Sequence, residues 1–138
     1  QPLVTERVDV KLNAERREKK FVRWQATLTS ACEQSGRCVL PSLQPLKYID
    51  EWLSNDNRDC KLILRAKADS FEQVKSDFTS TPKSASVIIG PEGGLSPEEI
   101  TAAIAQGYHP VGFGSRVLRT ETAPIVALSI LQASWGDF

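Results

Sequence analysis

The sequence predicts an α/β domain with a mainly parallel sheet, on three observations. Short apolar runs such as Cys60–Leu64 and Val87–Ile89 have the length and composition of buried strands. Helix-like stretches alternate with them, which is the order of a parallel sheet with crossover helices. Glycine-rich loops follow Val87–Ile89 and His109–Phe113, where α/β sheets place their ligands, beyond the carboxyl ends of strands.

Taken in order, residues from about Leu3 to Leu12 alternate roughly, with Val4, Val8, Val10 and Leu12 apolar, as in a strand. A helix is expected from Ala14 to Ser35, because Phe21, Trp24, Leu28, Ala31 and Cys32 recur at helical spacing and Gly36 can end it. Arg16, Arg17, Lys19, Lys20 and Arg23 crowd its start. They form either a solvated face or a contact surface for phosphates. After an extended stretch through Pro41 and Pro45, Leu46–Leu53 reads as a short helix with Tyr48, Ile49, Trp52 and Leu53 inward. Asn55, Asp56 and Asn57 break it, and the strand Cys60–Leu64 follows. Between Ala66 and Ser86 the pattern is weak: Phe71, Val74 and Phe78 allow a short helix, and Thr81–Ser84 is a loop.

The strand Val87–Ile89 then leads through its loop to a helix from Pro97 to Gln106. Ser96 suits the N-cap, Pro97 the first helical position and Glu99 the third, which completes a capping box. Gly107 suits the far end. His109–Phe113 returns as a strand and enters the second glycine-containing loop. The final helix, Thr122 to Ser134, is apolar nearly all round, with Ile125, Val126, Ala127, Leu128, Ile130 and Leu131. Such a helix is expected to be covered on more than one side, and a second subunit is the economical cover.

Composition narrows the function classes. Hydrophobic residues at 41% and charged residues at 25% fit one ordinary soluble globular domain of 138 residues. With 17 basic and 17 acidic residues the chain is no polycation, so any nucleic acid must meet a local basic patch. Cys32, Cys38 and Cys60 form no CxxC pair, which argues against a disulfide framework and a zinc site and fits reduced thiols in the cytoplasm. Neither a run of ~20 apolar residues nor a signal-peptide pattern is present. The chain begins with Gln1 and has no methionine, so it is expected to be a processed or truncated piece.

The two loops differ in chemistry. Gly90, Gly93 and Gly94 let a backbone approach a ligand closely. Glu92 is a poor neighbour for a phosphate, Ser96 already caps the following helix, and neither a P-loop lysine nor a GxGxxG spacing is present. A neutral or cationic ligand suits this loop better, although an ordinary strand–helix turn would look the same. The second loop, Gly112 to Ala123, carries Arg116, Arg119, Thr120, Glu121 and Thr122. Arginines bind carboxylates or phosphates with paired donors. Glu121 either pairs with Arg119 or sits beside the dipole of the last helix. His109, the single histidine, reads as structural, and no metal ligands cluster.

The motifs Ile89-Gly90-Pro91-Glu92-Gly93-Gly94-Leu95-Ser96 and Gly114-Ser115-Arg116-Val117-Leu118-Arg119-Thr120-Glu121-Thr122-Ala123, in this order and spacing, resemble the signature loops of the RsmE family. Its members are the 16S ribosomal RNA (uracil-N3) methyltransferases of the SPOUT superfamily. Trp24, Ala31, Gln34–Arg37 and Pro41 extend the resemblance along nearly the whole chain. It implies a SPOUT-type domain with a C-terminal trefoil knot, S-adenosylmethionine as cofactor, a homodimer, and 16S rRNA or the small ribosomal subunit as partner, with no membrane and no metal. Carried over by position, the cofactor contacts are Leu64, Gly90, Pro91, Glu92, Gly93, Gly94, Gly112, Gly114, Val117, Leu118, Arg119 and Thr122. Arg119 is the candidate stabiliser of the uracil anion, and Glu121 or water the base. Arg7, Arg16, Arg17, Arg23, Arg37 and Arg116 are candidate RNA contacts. Family members also carry an upstream PUA-like RNA-binding domain and a first strand and helix that this chain does not include. The alternatives are another SPOUT RNA methyltransferase acting on a ribose or another base, a non-catalytic RNA-binding or ribosome-assembly protein, and a nucleotide-binding α/β domain of other activity.

Overall fold

The computed structural model describes residues 1–8 and 14–136. Its elements run β1 Leu3–Val4, α1 Ala14–Ser35, β2 Lys47–Tyr48, α2 Ile49–Asn55, β3 Cys60–Leu64, α3 Phe71–Lys75, β4 Ala85–Ile88, α4 Pro97–Ala105, β5 His109–Val111 and α5 Ala123–Trp135. Among the described residues all strand pairs are parallel. A three-stranded sheet has the order β4-β3-β5, and β1 and β2 form a two-stranded one. The predicted α/β class with parallel pairing is therefore met.

Side-chain alternation along β3 builds two cores, one on each face of the larger sheet. Ile63 joins Ile49, Leu53, Ile88, Leu95, Ala103 and Tyr108 beneath α2 and α4. Cys60 and Leu62 join Phe71, Val74 and Val111 on the other face, where Ile130, Leu131 and Trp135 of α5 close the layer. Trp135 sits edge-on to Phe71 and Phe78, at ring-centroid distances of 5.4 and 5.5 Å.

A polar cluster lies at the amino-terminal ends of β4 and β5. Asp56 is 3% exposed. Its Oδ2 accepts from Ser86 Oγ and from the Tyr108 hydroxyl, each at 2.5 Å. Its Oδ1 accepts from Arg58 Nη1 at 3.0 Å, and Trp52 Nε1 donates to the Tyr108 oxygen at 3.0 Å. Burial alone pushes the Asp56 carboxyl up. The bonds from Ser86, Tyr108 and Arg58 outweigh it and hold the group below its ordinary value. Tyr108 is pushed up to about 12, first by burial and then by its bond to Asp56. Burial likewise pushes the Cys60 thiol up to about 11, so it is an inert core group.

Element boundaries differ from the sequence reading in several places: β4, expected over Val87–Ile89, runs Ala85–Ile88, and α5, expected over Thr122–Ser134, runs Ala123–Trp135. The strand expected over Leu3–Leu12 is only Leu3–Val4 before a turn, and the Val10 and Leu12 part of that expectation lies outside the described residues. The helix expected from Leu46 begins at Ile49, because Lys47 and Tyr48 pair in register with Leu3 and Val4. Tyr48 is consequently exposed, while Ile49 and Leu53 are buried as expected. The strand expected from His109 to Phe113 ends at Val111, and Gly112 instead bridges Ser70. A Cβ at Gly112 would lie 3.0 Å from the Ala68 carbonyl oxygen, so a larger residue would have to push that backbone away by a few tenths of an ångström.

Candidate functional site

The carboxyl ends of β3, β4 and β5 open into one cavity of about 660 Å³. Leu64 and Arg65 line it after β3, Ile89 through Glu92 with Gly94 and Leu95 after β4, and Phe113, Gly114 and Arg116–Glu121 after β5. The two loops singled out in the sequence thus face each other across a single space. Its walls are largely aliphatic and aromatic, and its charged groups are Arg65, Glu92, Arg116, Arg119 and Glu121.

The first loop is fixed by its own bonds. Gly94, at φ +71, donates its N–H to the Pro91 carbonyl at 2.8 Å. A Cβ at Gly90 would stand 3.1 Å from Leu95 Cγ and 3.3 Å from Leu95 N, so the chain folds back tightly there. Behind it, α4 carries the complete capping box expected: Ser96 Oγ accepts from Glu99 N at 3.3 Å, and Glu99 Oε2 accepts from Ser96 N at 2.8 Å. Those helix-start donors are already satisfied, which removes the simplest phosphate site.

The second loop is built differently. Gly114 takes φ +85; beyond it Ser115, Arg116, Val117 and Arg119 are exposed, Val117 at 83%, while Leu118 and Thr120 are half-buried. Arg119 Nη1 and Glu121 Oε1 are 3.8 Å apart with side chains 86% and 70% exposed. That separation exceeds hydrogen-bond range, so the pair leaves both groups able to meet a ligand. Helix α5 starts at Ala123, with the Ala123 and Thr122 N–H groups donating to the Arg119 carbonyl at 2.9 Å. Glu121 therefore precedes the helix.

Of the expected cofactor contacts, Leu64, Gly90, Pro91, Glu92, Gly94, Gly114, Val117, Leu118 and Arg119 line the cavity. Gly93, Gly112 and Thr122 stand outside its lining: Gly93 turns toward Arg7, Gly112 packs on Ala68, and Thr122 precedes α5. Arg116, expected at RNA, also lines the cavity. Arg7, expected there too, donates from Nη1 to the Gly93 carbonyl at 3.2 Å. Arg16, Arg17 and Arg23 are exposed on α1 and are not among the residues lining the cavity. Arg37, in the turn after α1, donates from Nε to the Val39 carbonyl at 3.1 Å. His109 packs on Phe78 and stands 3.7 Å from Asp77, outside the lining, as a structural group. The lining also takes in Arg65, Ala66, Ile89, Leu95, Ile100 and Ala123, which lie outside the two loops expected from the sequence. Arg65 directly follows Leu64 and was the most accessible of these; Ile100 faces the cavity only because α4 folds back beside the loop.

A parallel sheet with a glycine-lined cavity at its carboxyl edge defines the class, and the sequence family agrees. The chain belongs to the RNA methyltransferase domain family, whose profile matches residues 1–132. The resemblance to RsmE proteins is borne out. The ribosomal RNA small subunit methyltransferase E of Buchnera aphidicola subsp. Acyrthosiphon pisum is 35% identical over 120 residues, covering 86% of this chain and 46% of that protein. A Legionella pneumophila protein solved with bound cofactor SAM superposes with a TM-score of 0.91 at 43% identity, covering 99% of this chain and 55% of that one. The ribosomal RNA small subunit methyltransferase E of Neisseria gonorrhoeae, bound to S-adenosyl methionine, gives 0.87 at 37%, covering 100% and 55%. The chain spans about half the length of these relatives.

Proposed function

We propose that this domain binds S-adenosylmethionine between its two loops and methylates N3 of a uridine in 16S ribosomal RNA, in the cytoplasm. The observation that carries the reading is the single cavity shared by the Gly90–Gly94 and Gly114–Glu121 segments. Its chemistry suits this cofactor. A volume of about 660 Å³ is in the range of ligand pockets. Leu64, Ile89, Leu95 and Phe113 offer apolar cover, and Glu92 and Glu121 offer negative charge toward a cation. The two solved relatives with SAM bound share this fold.

When bound, the cofactor supplies an electrophilic methyl group on a cationic sulfur, which keeps the bonding pair as the methyl departs. Uracil N3 must lose its proton to form the new N–C bond. Glu121, whose carboxylate lines the cavity, accepts that proton directly or through water. Negative charge then develops on the uracil ring, and the Arg119 guanidinium stabilises it from the same wall. Gly90, Pro91 and Gly94 line the cavity and would hold the methyl donor there, and orientation of two reactants supplies up to ~7–11 kcal/mol in well-aligned cases. The base has to leave its stack to enter the cavity, which suits a loop or helix end of the ribosomal RNA. Arg116, together with Arg16, Arg17, Arg23 and Arg37, meets the backbone.

We infer further that α5 and the β3–β5 region form a trefoil knot and that two copies associate as a homodimer. Exposed Ile125 and Leu128 on α5, with Val22 on α1, support the second point, since a twofold interface would cover them. Mass spectrometry of 16S rRNA nucleosides with and without the gene tests the activity. N3-methyluridine should vanish without it and return with the wild-type gene. Retention of that nucleoside would refute the reading, and loss of a ribose methyl would move the target.

A further inference from the structure

We propose that Glu99 is a positioning residue: it latches the Thr5–Val8 turn behind the Gly90–Gly94 loop, and the turn holds that wall of the cavity in place. The molecule contains its own control. Helix α3 also starts with a capping box, in which Ser70 accepts from Gln73 N and Gln73 Oε1 accepts from Ser70 N at 2.8 Å. That box is exposed and wholly local. The α4 box differs in burial and in reach. Glu99 is 7% exposed. Its Oε2 completes the local box, and its Oε1 accepts from Glu6 N at 2.7 Å, a bond across 93 positions of chain. A carboxylate is used where the cap alone needs one oxygen, and both oxygens have work.

The segment so held packs on the loop. Val8 N donates to the Thr5 carbonyl, which makes the turn. Arg7 Nη1 donates to the Gly93 carbonyl at 3.2 Å. A Cβ at Gly93 would lie 3.4 Å from Arg7 Cβ and 3.5 Å from the Arg7 carbonyl oxygen, so the two backbones lie flat together. Gly93 faces the turn while Gly90, Pro91, Glu92 and Gly94 face the cavity. The turn is therefore the outer support of a wall whose inner side receives the ligand. A bonded rim group cannot swing outward without breaking the Arg7 and Glu99 contacts together.

The binding arm of the test rests on the methyl-donor reading; a second arm does not. Glu99→Gln keeps one side-chain carbonyl, enough for the cap, as Gln73 shows at α3, but not for both partners. In the full-length protein, this variant and Arg7→Ala should each weaken S-adenosylmethionine binding by calorimetry, on the order of tenfold. Each should also speed amide exchange at Gly94 by NMR, by a larger factor than at the β3 amides, which the latch does not touch. The double variant should be no worse than Glu99→Gln alone, because one latch serves both contacts. Wild-type exchange at Gly94 with wild-type affinity in Glu99→Gln would overturn the proposal, as would fully additive losses. If the wild-type protein binds no cofactor, the methyl-donor reading falls, and the exchange arm alone decides the latch.

Discussion

The two ends of the central sheet hold the same kinds of side chain and treat them in opposite ways. At the amino-terminal ends of β4 and β5, Asp56 and Arg58 are 3.0 Å apart, the carboxylate is sealed from water, and Ser86 and Tyr108 fill its remaining capacity. At the carboxyl ends, Arg119 and Glu121 stand 3.8 Å apart in solvent. A buried charge is tolerable only when every lone pair is met, so the first arrangement is committed to folding. The second is uncommitted, and uncommitted charge beside a cavity can act on a ligand. The contrast separates ions that the fold consumes from ions that it leaves accessible beside the cavity.

That contrast can be broken at either end. The largest effect is expected from Asp56→Ala, which strands the Tyr108 and Ser86 hydroxyls and should cost about 3 kcal/mol in urea unfolding. A loss under about 1 kcal/mol would mean that the cluster is not a stability element. Arg119→Ala should slow methyl transfer by roughly 10²–10³ while cofactor affinity falls less and the melting temperature changes little. Equal loss of affinity and rate would remove its assigned role in the transition state.

Acid titration sharpens the comparison. The folded Asp56 pKa lies below its ordinary value of 3.8, so the unfolded chain takes up the proton first. Its stabilisation is complete above that value and is lost as pH falls through the folded pKa. Wild type should therefore lose its advantage over Asp56→Asn in acid, and a constant difference down the titration would contradict the assignment. On the alkaline side Tyr108 has the reverse sign: its contribution is present below 10.0 and is lost as pH climbs toward about 12. The smallest effect is expected from Gly114→Ala. The added Cβ meets nothing within 4 Å, so only the left-handed backbone at φ +85 resists, at about 1 kcal/mol of stability. A much larger loss would show that the second loop is more tightly held than its exposure suggests.

The latch carries the same theme into the first loop. Glu99 is a charge at the cavity end that is nevertheless fully used, and what it secures is a loop rather than the core. The carboxyl edge of the sheet thus pairs a fixed wall, Gly90–Gly94, with a wall of exposed side chains, Arg116–Glu121.

Local signals in the sequence were sufficient wherever the cause was local. The bounds of α1, with Gly36 at φ +68 beyond its end, follow from apolar spacing and a glycine stop. The α4 capping box follows from Ser96, Pro97 and Glu99, and the strand character of Cys60–Leu64 from its branched apolar run. Both cavity loops were legible because their glycines and charges sit in compact motifs. Only tertiary structure decided the rest, because each remaining feature depends on a partner distant in the chain. β2 exists because Leu3 and Val4 lie alongside it, not because Lys47 and Tyr48 favour a strand. Gly93 faces Arg7 rather than the cavity, Asp56 is buried as well as ending α2, and Glu99 serves Glu6 as well as Ser96. Periodicity and capping record what a residue does within its own turn or strand. Which groups meet across 50 or 90 positions is set by how the layers close, and here that closure places the Asp56 carboxylate in the core and the Glu99 carboxylate against the Glu6 backbone.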